Sequence, residues 1–507
     1  MSRNRELAGA RQYHDRTAHS PASVRQSGHA LDWEIKPLPF KIYPALEPLR
    51  LPTDLPALAA DTFAALGPDS AATPAPPLDL HRLAALLFFS AGVTRVKTYP
   101  GGAQVHFRAA ASTGALYQTE VYVVAGDVAG LAAGVYHFNP GDFSLRSLRA
   151  GDFRGALALA AADEPLAAQP ASIVLSAIYW RNTWKYQARG YRHLFWDSGT
   201  LLAQLLATAR ALALPARLVA GFVDVEVDAL LGLDPQQEAA LVVVPVGVPG
   251  RAAAAPPLVT ALAPEVVPLS ARRVDYPLLR EALEDSRLDS EAEVLDWRER
   301  GAAPVPPPPD VGPRDRLALP RPRGEAGRTL AETVARRGST REFSGEAIDA
   351  AAFSSALYHA TRGFPADVPA GLVDLYINVH AVDGIEPGAY WYDRDAHGLL
   401  LLRGGEVRED STFLCLEQPL GGRSSATVFF LADLTRVLER WGNRGYRLVN
   451  LEAGLIGGRL YLGAYGQRFG ASGLTFYDTE VVRFFSPHAA GKDAVFVTAL
   501  GRSLKRN

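Results

Sequence analysis

Two short runs combine residue types that could hold an anionic or planar ligand. Arg337–Phe343 reads RGSTREF, two arginines flanking a serine with Glu342 behind them, just ahead of a stretch with helical character. An arginine fork matches phosphate with two parallel hydrogen bonds, and a serine hydroxyl with helix N-terminal N–H groups would add donors. The same residues would also serve as a helix cap ringed by solvated charges. Ser112–Tyr117 reads STGALY, directly before the strand-like run that contains Val121–Val124. Small residues there let backbone N–H groups approach a ligand closely, although a plain turn into a strand has the same composition.

Other chemistries lose support. The chain has no HExxH, GxSxG, GxxxxGK[ST] or GxGxxG, which removes the sequence basis for metalloprotease, serine hydrolase, P-loop and Rossmann readings. His14, His19 and His193 are not at metal-ligand spacing and read as capping or packing residues. Trp180, Trp184 and Trp196 could line a pocket, but aromatics beside a buried helix are usually core. The single cysteine, Cys415, can form neither an internal disulfide nor a thiolate cluster, and it reads as inert.

Composition sets the frame in which these residues must be positioned. The 507 residues are enough for two large domains or three ordinary ones, and 48% hydrophobic with 21% charged residues describes a globular chain. Lys+Arg 52 against Asp+Glu 54 gives a net charge of −2, without the basic excess of a nucleic-acid binder. The N-terminal run lacks the apolar core of a signal peptide, and no apolar stretch is long enough to span a membrane. A soluble, cytoplasmic protein is expected. Proline-rich stretches at Ala71–Pro77, Arg251–Pro257 and Ala302–Arg323 read as loops or extended tethers, because proline lacks the N–H and fixes φ. Arg272–Arg300 reads as helical.

Internal repeats organise the chain. ArgGlyTyrArg occurs at Arg189–Arg192 and again at Arg444–Arg447, and RGYRHLFWDSG aligns with RGYRLVNLEAG. Upstream, ASIVLSAIYWR from Ala171 faces ATVFFLADLTR from Ala426 at the same spacing. GVYHFNPGDFSLRSLRAGD from Gly134 faces GAYWYDRDAHGLLLLRGGE from Gly388, and EVYVVA from Glu120 faces DLYINV from Asp374. Downstream, GFVDVEVDALL from Gly221 faces GLTFYDTEVVRFF from Gly473. Five blocks in one order at nearly constant spacing mean two copies of one module. VYVVA and ALVVVPVG read as strands and the run after each RGYR as a buried helix. The expected fold is α+β, an intramolecular pseudo-dimer: a first module at 1–265, a helical connector and proline-rich tether at 266–327, and a second module at 328–507.

The order of these motifs resembles the flavin-dependent nitroreductase-like superfamily, and within it the SagB-type dehydrogenase branch. The resemblance runs through YHDRTAHSP at Tyr13–Pro21, LDWEIKPLPFKIYP at Leu31–Pro44, STGALY, KYQARGYRHLFWDSG at Lys185–Gly199, GFVDVEVDALLGLD at Gly221–Asp234, and RGSTREF. It implies interlocked α+β modules with FMN at their interface. Arg337, Ser339 and Arg341 would hold the phosphate, with Arg502 as a further contact. Gly470, Ala471, Ser472 and Gly473 would lie beside the flavin, and Ser112, Thr113 and Gly114 would reach across from the first module. Where the family usually carries a second arginine this chain has Gly338, so a looser phosphate grip is expected. The counterpart of STGALY in the second copy is Ala366–Gly371, ADVPAG, and the arginine motif of the first copy is thinned to Arg16, Thr17, Ala18, His19 and Ser20. One FMN per chain is therefore expected, with the pseudo-symmetric site weak or empty.

Lys185–Tyr186 resembles the catalytic Lys-Tyr pair of azoline-oxidising members. A desolvated lysine, or the tyrosine beside it, could take the proton next to a C–H bond that loses hydride. The second copy has Arg440 and Trp441 at these positions, so only the first carries the pair. The expected activity is hydride transfer between a small or modified-peptide substrate and the flavin, with NAD(P)H as electron donor if a nitro or quinone compound is reduced. The alternative is a non-catalytic partner subunit of a modification complex that binds flavin or peptide. A further homodimer of the pseudo-dimer is compatible with either.

Overall fold

The computed structural model describes residues 3–67, 75–102, 104–302 and 316–504. Residues 71–74 and 303–315, on which much of two expected proline-rich stretches falls, lie outside them. Each copy builds an antiparallel sheet. The first holds β1 (Pro48–Arg50), β2 (Thr119–Ala125), β3 (Gly134–Asn139), β4 (Ser144–Ala150), β5 (Ala171–Ile178) and β6 (Glu238–Val246), in the order β1-β4-β3-β2-β5-β6. The second holds β7 (Arg316–Ala318), β8 (Asp374–Val379), β9 (Gly388–Asp393), β10 (Gly398–Gly404), β11 (Ala426–Ala432), β12 (Gly470–Gly473) and β13 (Asp493–Gly501). Its order, β12-β13-β11-β8-β9-β10-β7, repeats the first apart from the added edge strand β12. β2, β5, β6 and β11 are buried along their whole length, which is why they read as near-continuous apolar runs.

Seven helices matter for the site and its surroundings: α1 (Arg154–Ala160), α2 (Tyr179–Tyr186), α3 (Gly190–Ala211) and α4 (Asp224–Leu231) in the first copy, α7 (Arg408–Leu414), α8 (Arg444–Gly466) and α9 (Asp478–Phe485) in the second. Between the copies, Arg272–Arg300 is helical but broken in two, α5 (Pro277–Asp285) and α6 (Glu291–Ala302). The two long helices that follow the RGYR runs, α3 and α8, are buried almost all round and pack against each other in one core shared by both modules. They cross backbone to backbone at matched glycines. A Cβ on Gly199 would stand 2.4 Å from the Leu451 carbonyl oxygen, and one on Gly454 would stand 2.2 Å from that of Trp196.

The repeated RGYR now has a reason. Arg189 and Arg192 at the start of α3 pair with Asp478, the first residue of α9 in the other copy, at 3.0 and 2.5 Å. Reciprocally, Arg444 and Arg447 at the start of α8 pair with Asp224, the first residue of α4, at 2.6 and 2.7 Å. All six side chains are buried. Each copy thus closes the other with one carboxylate between two guanidinium groups, at a helix N-terminus that also favours negative charge.

Candidate active site at the module interface

STGALY forms a tight turn. Gly114 has φ +64°, and Ala115 and Tyr117 also lie in the left-handed region at +55° and +51°. Two non-glycine residues there store strain, which persists only where the surroundings over-determine the conformation. Asp197 on α3 supplies that constraint. Its carboxylate accepts from Ser112 Oγ at 2.5 Å, Thr113 Oγ1 at 2.7 Å, the Thr113 N–H at 2.9 Å and Gln118 Nε2 at 2.7 Å. Ser112 and Thr113 therefore spend their hydroxyls inside the first module, and the turn presents Gly114 and its backbone. A Cβ on Gly114 would stand 2.9 Å from the Tyr186 hydroxyl, so the turn and the end of α2 approach closely.

Burial raises Asp197, against the pull of its donors, to about 6. It is ionised at neutral pH and takes up a proton in mild acid. A folded-state value above the ordinary 3.8 means that folding binds a proton between the two values, so stability falls as pH rises from about 4 to about 6. An Asp197→Asn chain is expected to be less stable at neutral pH, yet to show a flatter stability slope across that window, as read by urea denaturation at stepped pH. An unchanged slope would remove Asp197 from the titration.

Lys185 and Tyr186 close α2, and Gln187 follows at φ +52°. The Tyr186 ring lies edge-on to His193, with centroids 4.5 Å apart. His193 in turn stacks on Trp196 at 4.6 Å and hydrogen-bonds Asn182 through Nδ1 at 2.9 Å. Trp196 Nε1 donates to Asn450 Oδ1 of the second module at 2.7 Å. Trp180 and Trp184 pack with Ile35 and Leu116, and Tyr186 lies against that cluster. Burial, then the Asp197 charge, pushes the Tyr186 phenol up, so it keeps its proton. Desolvation, then the neighbouring Arg341 cation, pushes Lys185 down. Arg341 belongs to the second module and is exposed. Charges of both modules thus act on Lys185, and among the described residues neither Lys185 nor Arg341 forms an ion pair with a carboxylate.

The other sequence candidates stand in several relations to this point. RGSTREF does not open a helix. Arg337 caps the C-terminal end of the helix Leu330–Arg336, and the next helix begins only at Ala350, so no helix N-terminal donors face the run. The apolar pattern marked the coming helix but not the irregular residues 338–349 before it. Arg337 is buried, and its guanidinium donates to the carbonyls of Arg108 at 2.7 Å, Ala109 at 2.6 Å and Ala110 at 3.3 Å. It ties the second module to the first through backbone rather than standing open. Ser339 shares a hydrogen bond with Tyr461 at 3.2 Å, and the same phenol accepts the Gly473 N–H at 2.6 Å. Gly470 must be glycine because a Cβ would stand 2.1 Å from Thr340 Oγ1, and the Thr340 N–H donates to the Ala471 carbonyl. Ser339, Gly470, Ala471, Ser472 and Gly473 are thereby adjacent. Arg502 is exposed and donates to the Ala347 carbonyl at 2.8 Å.

Three residues escaped sequence reading. Asp197 is one, although its signal was present: the aligned position 452 is also acidic, and buried Glu452 accepts from the Gly371 and Leu372 N–H groups at 2.9 and 3.1 Å. Asp367, inside ADVPAG, accepts from the N–H groups of Ala220 and Gly221 at 2.8 and 2.9 Å. Arg298 of α6 binds that carboxylate at 3.0 Å and donates to the Gly221 carbonyl at 2.7 Å. Ala220 and Gly221 align with Ser472 and Gly473, so the pseudo-symmetric position is filled by an internal ion pair. Cys415 is buried, its thiol pushed up by desolvation. Among the described residues no cluster of potential ligands could hold a metal, and no helix is long and apolar enough to cross a membrane.

Two modules of mixed helix and sheet, packed through one shared core, form a fold that known proteins share. Residues 73–248 match the nitroreductase family. A nitroreductase-type protein of Methanocaldococcus jannaschii is 31% identical over 161 residues, 30% of this chain and 81% of its own length. A crystal structure of a nitroreductase-type protein from Anabaena variabilis superposes with a TM-score of 0.76 at 27% identity, over 97% of this chain and 99% of the other. The chain belongs to the nitroreductase family, whose members are in general flavin-dependent oxidoreductases.

Proposed function

We propose that the chain is an FMN-dependent oxidoreductase with SagB-type dehydrogenase chemistry, working at the module interface. The observation that carries this is the close approach of the Gly114 turn to the Tyr186 phenol at the end of α2, next to Lys185, whose charged form is disfavoured by burial and by the Arg341 cation of the other module. Unneutralised positive charge next to a close-approaching backbone suits a phosphorylated planar cofactor. Ser339 and Arg341 would hold the phosphate, with Arg502 beside them and Arg337 acting as the tie that fixes the run. Gly338 has room: a Cβ there would meet only the Tyr465 hydroxyl, at 3.6 Å. The Asp367–Arg298 pair across the pseudo-symmetric position supports one FMN per chain.

When bound, FMN would accept hydride from a substrate C–H bond. The chain's own residues would handle the proton. Lys185 Nζ, its charged form disfavoured by desolvation and by Arg341, takes the proton adjacent to that bond, while the protonated Tyr186 Oη donates a hydrogen bond to the substrate. Small molecules and modified peptides both fall within this chemistry, and NAD(P)H would be the donor if the direction is reductive. A Lys185→Ala chain should keep its flavin and lose about 10²-fold or more in kcat. Arg341→Gln should weaken flavin binding and move the acid limb of the pH profile to higher pH, because Lys185 loses its cationic neighbour and is deprotonated only at higher pH. Full turnover by the Lys185→Ala chain would remove the base assignment.

One observation favours the non-catalytic alternative. The Gly473 N–H and the Arg337 guanidinium are already satisfied within the protein, as in a degenerate binding subunit. Flavin released by denaturation and counted per chain separates the readings. About one per chain, bleached by reductant, supports the enzyme, and a colourless protein that takes up no added FMN would overturn it.

A further inference from the structure

The two modules treat one equivalent groove differently. In the first, the groove between β4, α1 and α4 is covered by the chain that leaves β6, an extended strap over residues 250–269. Val259, Leu262 and Val266 face inward onto the outer core. Leu262 lies so close to Gly232, at the end of α4, that a Cβ there would meet it at 2.9 Å. Arg149 fixes the strap: its guanidinium donates to the Leu230 carbonyl of α4 at 2.8 Å and to the Thr260 carbonyl of the strap at 2.7 Å.

In the second module the matching groove, between β10, α7 and α9, stands open as a cavity of about 590 Å³ lined by Leu402, Phe413, Leu414, Phe484 and Phe485. Leu230 is 1% exposed beneath the strap, whereas its counterpart Phe484 is half-buried and Phe413 is 40% exposed. Arg403, the counterpart of Arg149, sits over the Phe484 ring at 3.9 Å, bonds Asp410 at 3.0 Å and turns half its side chain to solvent. The described residues that follow β13, 502–504, do not cross this groove. They turn back to pair with residues 342–343, Ser503 bridging to Phe343 and the Leu504 N–H donating to the Glu342 carbonyl.

The geometry points to a docking site for a partner polypeptide in the groove of Leu402, Phe413, Phe484 and Arg403. Its ligand is an extended, proline-containing segment with aliphatic residues spaced as Val259, Leu262 and Val266 are, one carbonyl of which accepts from Arg403. The first module shows what chemistry fills such a groove, and residues 503 and 504 lead away from the second one; the occupant proposed for it is a segment of another polypeptide. An extended segment keeps its backbone polar groups at the rim while apolar side chains enter the cavity, the division seen at Thr260 and Leu262. This site is independent of the flavin reading.

The test uses the full-length protein and a fluorescently labelled peptide of the chain's own strap sequence, residues 254–268 (AAPPLVTALAPEVVP). Fluorescence anisotropy should report saturable binding of one peptide per chain. Phe413→Glu, at an exposed position, should weaken it by about tenfold or more, as loss of a central apolar anchor does, with an unchanged melting temperature. A peptide with Val259 and Leu262 replaced by Asp should not bind. Absence of binding overturns the proposal. So does equal binding to the Phe413→Glu chain, which would mean that the peptide displaces the strap of the first module instead.

Discussion

A Gly454→Val chain is expected to melt well below the parent and to lose the proposed interface site with its stability. The added Cβ would stand 2.2 Å from the Trp196 carbonyl oxygen, with the Trp196 Cα and carbonyl carbon both at 2.8 Å. These are backbone atoms, so no rotamer change relieves the contact and α3 and α8 must move apart. Propensity pulls the other way, since glycine in a helix interior is about 1 kcal/mol worse than alanine. The sign of the change therefore reports which effect wins. Overpacking a tight core costs about 1–3 kcal/mol, and a clash against rigid backbone belongs at or above the upper end. Gly199→Val should behave alike, because its Cβ would meet the Leu451 carbonyl oxygen at 2.4 Å. Gly363→Ala, with nothing within 4 Å of its added methyl, should stay within about 0.5 kcal/mol of the parent. Calorimetric melting decides it: a Gly454→Val chain as stable as the parent would mean that the helices do not cross as described.

That crossing also explains why so much of the architecture was legible. The repeat is written in the chain because each module must fit the other through equivalent surfaces, so the glycine of the crossing, the arginine pair and the aspartate that opens the next helix recur in the same order. Period-2 and period-3.6 apolar patterns then place strands and buried helices within each copy. Lys185, Tyr186 and Gly114 stood out through the family resemblance and not through that pattern, which did not mark the helix Tyr179–Tyr186.

What could not be read is where hydrogen-bonding capacity is spent. An arginine in RGSTREF looks like a phosphate ligand until the structure shows its donors on carbonyls 228 and 229 residues away. STGALY looks like a loop whose backbone N–H groups are open to a ligand until Asp197, 84 residues further on, accepts from the Thr113 N–H. Asp367 carries no signal inside ADVPAG, yet it reaches 147 residues back to accept the Ala220 N–H. Each partnership is fixed by tertiary packing, and a local motif specifies donors and acceptors without their partners. The asymmetry of the proposed site would follow from the covalent link between copies. Because they are one chain, the first can keep Lys185–Tyr186 and the second Arg341, and the opposite position is free to be filled by Asp367 and Arg298.

Asp478→Ala is expected to cost about 3–5 kcal/mol, because it leaves Arg189 and Arg192 buried, charged and without their carboxylate. Their side chains are 5% and 0% exposed, so water cannot take its place without opening the module interface. Asp224→Ala should cost a similar amount through Arg444 and Arg447, 1% and 4% exposed. Exposed pairs such as Arg3–Glu284 provide the contrast, where removal should change stability by less than about 1 kcal/mol. The pH dependence follows from the same groups. Burial alone would raise Asp478, but Arg189 and Arg192 hold it far below the usual carboxylate range, and Asp224 is likewise depressed by Arg444 and Arg447. A depressed folded-state value means that the contribution is complete above the unfolded value near 4 and is lost as pH falls toward the folded one. The parent should therefore weaken steeply in acid below about pH 4, and an Asp478→Ala chain, already without one such carboxylate, should show a shallower acid limb from a lower plateau. Asp478→Asn separates charge from shape: it keeps one acceptor for Arg192 but cannot neutralise two guanidinium groups, so it should recover only part of the loss. Full recovery would show that hydrogen bonding, and not the charge shared between the modules, holds this corner of the interface.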